Sequence, residues 1–407
     1  MTRQSPIKPL TLAHRTDPFQ ESVIREMTRL GDEAGAVNLS QGLPDYPAPQ
    51  EVLDAAVRAI LDGDNQYSFP FGHLAFREAV AAKYRRDNGI QANPETEVTV
   101  TCGVSEAMMS VILALTDHGD EIILMEPWYE NYLPDALMAG VTPRFIQLHQ
   151  PDFHLDPAEL RAAFTPRTRL IILNTPHNPT GKVFNQAELE SIAALCQEYG
   201  VIAVTDEIYE HIIYPGHRHI CLGSLPGMED RTVTISGLGK TYALTGWRVA
   251  WAIAPARLSE RIRKVHDYLT ICAPSPLQTA GITALSLPDA FYADLREEYG
   301  QRRTLLLEAL EAAGFRFQPP QGAYYVMADF SGIEWQRNPA WPASWSLDRA
   351  FSEYMARNIG VAVVPGSSFF TERKELGYTL VRFNFAKQME TLQEAASRLS
   401  RLETNRG

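Results

Sequence analysis

The chain has 407 residues, 45% of them hydrophobic and 21% charged, with a formal net charge of −12. Such a composition belongs to an ordinary globular protein, long enough for one large domain plus a smaller one. The negative balance argues against nucleic acid or an anionic membrane as partner, since both need basic patches, so any bound anion must be held locally.

The start, MTRQSPIKPLTLAHRTD, is polar and proline-dotted, without the apolar core of a signal peptide, and no apolar run is long enough to span a bilayer. Cys102, Cys196, Cys221 and Cys272 lack the paired spacing of a zinc site or a disulfide framework. They read as reduced thiols of a cytoplasmic protein. From about residue 98 short apolar runs alternate with amphipathic stretches. EVTVTCG, DEIILMEP, TPRFIQL, TRLIILNTP, GVIAVTDE, RTVTISG and RVAWAIAP predict seven strands. Several are unbroken Val/Ile/Leu runs, as a sheet covered on both faces requires. NQAELESIAALCQEYG has helical period and ends in glycine. The expectation is an α/β fold with a mostly parallel seven-stranded sheet over residues 51–295. Beyond residue 295 a long charged helix leads to the strand-like GAYYVMADF, GVAVVPG and YTLVRFNFA. That pattern predicts a small α+β domain over 296–407, with residues 1–50 packing against it.

In parallel α/β sheets ligands bind beyond the carboxyl ends of the strands. After VTVT comes the small-residue turn Cys102-Gly103-Val104-Ser105-Glu106-Ala107 opening a helix, whose free amide groups suit a phosphate. After IILME come Pro127, Trp128 and Tyr129, flat rings on which a planar ligand could stack. IILN is followed by TPHNPTGKVF with Asn178 at its centre, VIAVT by Asp206, Glu207, Ile208 and Tyr209, and TVTIS by Lys240. Lys240 admits three readings: a nucleotide phosphate loop, a Schiff-base lysine, or a solvated turn. No G-x-x-x-x-G-K-[ST] and no G-x-G-x-x-G follows a strand, which argues against the first. The coincidence of polar groups at consecutive strand ends argues against the last.

A phosphate cradle, a stacking ring, a carboxylate, a phenol and a lysine together are what pyridoxal 5′-phosphate (PLP) requires. Lys240 would form the Schiff base, favoured by desolvation and neighbouring cations. Asp206 would keep the pyridine nitrogen protonated, Tyr209 would reach the ring hydroxyl, and Arg248 would partner the phosphate.

With these residues in place the chain resembles a fold-type I, class I/II PLP-dependent aminotransferase. The motifs are VNLSQGLPDYP, NQYSFPFGHLAFREAV, EPWYENY, NTPHNPTGKVF, TDEIYEHIIY, SGLGKTYALTGWRVAW, GAYYVMADF and VRFNFA, nearly the whole chain. QGLPDYP and VRFNFA resemble the kynurenine/glutamine/methionine transaminase branch. The resemblance implies that Lys240 carries PLP and shuttles the proton. Asp206 pairs with the pyridine nitrogen, Tyr209 and Asn178 contact the ring hydroxyl, and Tyr129 stacks. Val104 and Ser105 donate to the phosphate, which Arg248 neutralises. Tyr67 would reach the phosphate of a neighbouring subunit in a homodimer. Arg382 would clamp the substrate α-carboxylate in bidentate fashion, with Gly42 lying against it.

Two departures stand out. The family's serine three positions before the lysine is Gly237 here, leaving Ser236, one place earlier, as the nearest hydroxyl for the phosphate. The segment Ile271-Cys272 lacks the aromatic and histidine side chains common in kynurenine-type enzymes, so the side-chain pocket does not carry over. The expected reaction moves the amino group of an L-amino acid to a 2-oxo acid in two half-reactions. β- or γ-elimination, lysis or cyclisation on the same residues is the alternative, and a PLP-fold regulator a third class. His211, His217 and His219 suit no standard metal motif, so no metal is expected. The insertion SGIEWQRNPAWPASWS, residues 331–346, offers Trp335, Trp341 and Trp345 either as cover for a substrate side chain or as rings packed on their own domain.

Overall fold

The computed structural model describes residues 10, 12–18 and 21–402. Residues 1–9 and 11, part of the N-terminal stretch that lacks the apolar core of a signal peptide, lie outside the described residues. The main sheet has eight strands, in the order Val98–Thr101, Ala250–Ile253, Thr232–Gly237, Ile202–Asp206, Thr168–Asn174, Glu121–Glu126, Thr142–His149 and His154–Leu155. Seven are the apolar runs of the sequence, and the eighth is a two-residue strand turned back antiparallel on Thr142–His149. From Thr232–Gly237 to Thr142–His149 the five strands run parallel. Ala250–Ile253 is antiparallel to both its neighbours. It comes after Thr232–Gly237 through a loop rather than a long helical crossover, and a parallel pairing needs the crossover.

The unbroken apolar runs are explained by two buried faces. Ile122, Leu124, Leu170 and Ile172 pack with Met108 and Val111 of the helix Val104–Leu115. Their alternates Ile123, Met125, Ile171 and Leu173 pack with Leu189 and Ile192 of the helix Gln186–Tyr199. Side chains alternate along a strand, so both parities must be apolar. The second helix shows how local sequence sets its ends. Asn185 and Glu188 form a reciprocal capping box at the start, and Gly200 takes φ +69° just past the finish. Because the strands are parallel, the turns after Thr101, Glu126, Asn174, Asp206 and Gly237 collect along one region of the sheet.

After the helix Asp289–Ala312 a four-stranded antiparallel sheet forms in the order Arg316–Phe317, Tyr325–Asp329, Leu380–Asn384 and Val364–Pro365. Val37–Asn38 pairs in parallel with Val361–Ala362, which ties the early chain to the late one. The tryptophan insertion takes the packed option. Trp335 lies edge-on to Phe351 at 5.2 Å, Trp341 packs on the same core, and Trp345 lies 4.3 Å from the Arg349 guanidinium. None of the three lines the cavity at the strand ends. Among the described residues no helix is long and apolar enough to cross a membrane.

Candidate active site

A cavity of about 350 Å³ opens beyond these strand ends, and ten of the twelve predicted site residues line it. Lys240 sits in the turn after Thr232–Gly237, half-buried, with its ammonium donating to the Gly42 carbonyl at 2.9 Å. Burial pulls its pKa down to about 8, helped by Arg248 and Arg382 and opposed by Asp206. Asp206 ends its strand 3% exposed. Its Oδ2 accepts the Tyr132 hydroxyl at 2.7 Å, and its Oδ1 the Ile208 amide at 3.3 Å. Burial pushes its pKa up to about 6, against these donors and Lys240.

Tyr209 comes after Asp206 in a turn, and its hydroxyl lies 3.0 Å from that of Tyr325. Tyr129 borders the cavity edge-on to Tyr132, whereas Trp128 turns into the core. On the opposite wall Arg382, fully buried, donates to Asn178 Oδ1 at 2.9 Å and to the Ser40 carbonyl at 2.6 Å. Its guanidinium lies 4.5 Å from the Tyr325 ring and 5.0 Å from Phe369, and among the described residues its Nε has no hydrogen-bond partner. A buried guanidinium short of an acceptor is prepared for an anion. The Asn178 amide in turn donates to Asn174 Oδ1 at 2.6 Å, which fixes that loop.

The anion end is built by Val104 and Ser105, the first residues of the helix Val104–Leu115. Its N-cap is Gly103, with φ +87° and no side chain to satisfy the first amides. The Arg248 guanidinium fills the space where a Cβ would stand, 2.2 Å from it. An uncapped helix start beside a guanidinium is a phosphate cradle. Together with a buried carboxylate and an amine of lowered pKa, this donor set fits PLP.

Gly42 also lines the cavity, and a Cβ there would come within 1.9 Å of the Tyr325 hydroxyl, so the close approach is to this chain's own tyrosine.

Two predicted residues lie elsewhere. Ser236 is buried, but its hydroxyl donates to Glu210 Oε1 at 3.1 Å, away from the cavity. Neighbouring strand residues face opposite ways, and here the Gly237 position borders the site. Tyr67 is 78% exposed and outside the cavity.

Sequence reasoning missed Tyr132, Tyr325, Asn174 and Arg25 as lining residues, whereas Gly103 lies in the turn it singled out. Tyr132 opens the helix Tyr132–Ala139, and nothing in the EPWYENY run sets it apart from a core tyrosine.

Behind the site Glu207, Glu210 and His219 hold ligand atoms within 4.8 Å of one another. They are already partnered: His219 Nε2 lies 2.9 Å from Glu207, and the Lys83 ammonium takes Glu210.

The profile of the family "Aminotransferase class I and II" matches residues 34–399. A probable N-succinyldiaminopimelate aminotransferase of Mycobacterium tuberculosis is 39% identical over 396 residues, covering 95% of this chain and 97% of its own. Kynurenine–oxoglutarate transaminase 1 of Rattus norvegicus is 34% identical, covering 95% of this chain and 97% of its own. Among solved structures, a methionine aminotransferase of Escherichia coli superposes with a TM-score of 0.90 at 34% identity. That match covers 97% of this chain and all of that one (100%).

Proposed function

This chain belongs to the class I and II aminotransferases, and from that premise we propose how its residues divide the work of the cavity. The enzyme is a PLP-dependent transaminase that moves the α-amino group of an L-amino acid to a 2-oxo acid in two half-reactions. Nothing in its relatives favours elimination or lysis.

Val104, Ser105 and Arg248 would hold the phosphate of PLP, Asp206 the ring nitrogen, Tyr209 and Asn178 the ring hydroxyl, and Tyr129 the ring face. When bound, the cofactor supplies an electron sink for the negative charge left at the substrate Cα. Lys240 would anchor it. With a pKa near 8 its amine is partly neutral under mildly alkaline conditions, so Nζ can take the proton from the donor's Cα in one half-reaction and deliver one to the acceptor's Cα in the other. Arg382, steadied by Asn178 and the Ser40 carbonyl, would fix the α-carboxylate and thereby aim the Cα–H bond at Nζ. Residues 51–295 would carry the cofactor and 296–407 the carboxylate clamp.

The same reading extends to a homodimer. Leu61, Tyr67, Phe69 and Tyr268 are 79%, 78%, 60% and 93% exposed, more apolar ring and chain than a monomer leaves in water without cause. A second chain would cover them and bring Tyr67 to the neighbour's cofactor.

The observation that carries the site is the convergence of Lys240, Asp206, Arg248 and Arg382 on one cavity from four separate segments. The test is the absorbance of the PLP-loaded enzyme titrated with single L-amino acids and no acceptor. The visible band should be lost with a good donor and return on adding a 2-oxo acid. Ammonia release without an acceptor would move the reaction to elimination. An unchanged spectrum in Lys240→Ala would remove that lysine from its place.

A further inference from the structure

The phosphate cradle carries a conflict of charge. Glu106 stands in the first turn of the helix Val104–Leu115, the end that would receive the phosphate. It does not line the cavity: its Oε2 accepts the Cys102 amide at 3.0 Å, and its Oε1 accepts the Ser110 hydroxyl. By reaching back to Cys102 the carboxylate holds the turn that contains Gly103, so it shapes the cradle. An anion at a helix start also draws on the dipole that a phosphate would use, and two anions there repel each other.

His266 removes the conflict. It lies on the helix Ala256–Thr270, which packs on Val104–Leu115, and its side chain is 0% exposed. Its Nδ1 lies 3.0 and 3.1 Å from the two Glu106 oxygens and 3.2 Å from the Thr270 hydroxyl. Its Nε2 lies 2.9 Å from the Pro70 carbonyl, which can only accept, so Nε2 carries a proton. An unprotonated Nδ1 would set its lone pair against the carboxylate, whereas a ring protonated on both nitrogens satisfies every contact. Burial works against that charge, yet Glu106 and the Pro70 carbonyl outweigh it and raise the pKa of the ring.

We infer that His266 is a positioning residue for the cofactor phosphate: its imidazolium cancels the Glu106 charge, so that the carboxylate shapes the cradle without repelling the phosphate. The inference rests on the assignment of Val104, Ser105 and Arg248 to that phosphate.

The test measures the dissociation constants of PLP and of unphosphorylated pyridoxal for cofactor-free wild type, His266→Gln and the double variant His266→Gln, Glu106→Gln. The glutamine amide can still reach the Pro70 carbonyl but carries no charge. In His266→Gln PLP should bind about 10-fold or more weakly, with pyridoxal little changed. The double variant, having lost the carboxylate charge as well, should return to within about threefold of wild type, a rescue that lost packing would not give. An unchanged PLP affinity in His266→Gln, equal losses for the two ligands, or no recovery in the double variant overturns the role of His266. Nitrogen-15 spectra of histidine-labelled, PLP-loaded wild type near neutral pH should hold a ring protonated on both nitrogens that is missing from the double variant. Its absence from the wild type overturns the inference even where His266→Gln fails to fold. A wild type that binds PLP no better than pyridoxal defeats the phosphate assignment itself.

Discussion

At Asp206 two effects compete: burial favours the neutral acid, and the Tyr132 hydroxyl favours the carboxylate. The balance near pH 6 means that cofactor-free protein should lose affinity for PLP as the pH falls through about 6, because a protonated Asp206 no longer attracts the pyridinium. Tyr132→Phe removes a hydrogen bond to a charged group, worth about 1.5–3 kcal/mol, so the midpoint should move up by roughly one to two pH units. PLP dissociation constants measured across pH by fluorescence check both statements, and a midpoint unmoved by the substitution would show that Tyr132 does not hold the ionised form. Asp206 was legible only in company: a carboxylate at a strand end is usually a solvated cap, but here polar groups follow several consecutive strands. Tyr132 was not, because a tyrosine in EPWYENY reads equally well as core.

Elements carry the next decisions. The helix Val104–Leu115 can receive a phosphate only while Gly103 holds φ +87° and leaves room for Arg248. Gly103→Ala puts a Cβ against that guanidinium and forces an L-residue into a positive-φ, extended-ψ conformation that is essentially glycine's alone, at a cost of about 1–3 kcal/mol. PLP binding should weaken by about tenfold or more, while binding of unphosphorylated pyridoxal changes little. Equal losses for the two ligands would show that the damage is not local to the phosphate. Elsewhere Lys83, on the helix Leu74–Asp87, meets Glu210 in the turn beyond Asp206, both nearly fully buried. Burial works against the Glu210 carboxylate, yet Lys83 outweighs it and the pKa drops to about 2. A depressed carboxylate contributes its stability at neutral pH and loses it as the pH falls from about 4 towards 2. Lys83→Met leaves that charge buried alone and should cost about 3–5 kcal/mol in urea unfolding at pH 7. A paired Lys83→Met, Glu210→Leu protein should regain most of it, and a loss equal to the single variant would deny the coupling.

For the whole molecule the question is which surfaces one chain leaves unfinished. Leu61, Tyr67, Phe69 and Tyr268 all stand exposed. Sedimentation should give a particle of two chains at micromolar concentration. Leu61→Glu with Tyr268→Glu should release monomers and lower activity with them, because the site would lose its neighbour's Tyr67. A fully active monomer would remove Tyr67 from the catalytic unit. The tryptophan insertion shows the opposite case, rings that look available in the sequence and are spent on their own core.

By itself the sequence determined the seven long strands of the main sheet, the family, and the polar groups at the strand ends. Chain order and apolar period report those directly: an unbroken Val/Ile run must be buried on both faces, and the ligand crevice opens past its carboxyl end. Tertiary structure alone decided which way each side chain turns once the strands are in register. It turned Ser236 onto Glu210 and away from the cavity, set Tyr325 against Gly42, and fastened Ser22 of the early chain to Glu130 on the rim. These are contacts between residues 26 to 283 positions apart, and no local pattern encodes them, because they depend on how separate elements pack rather than on what each prefers alone.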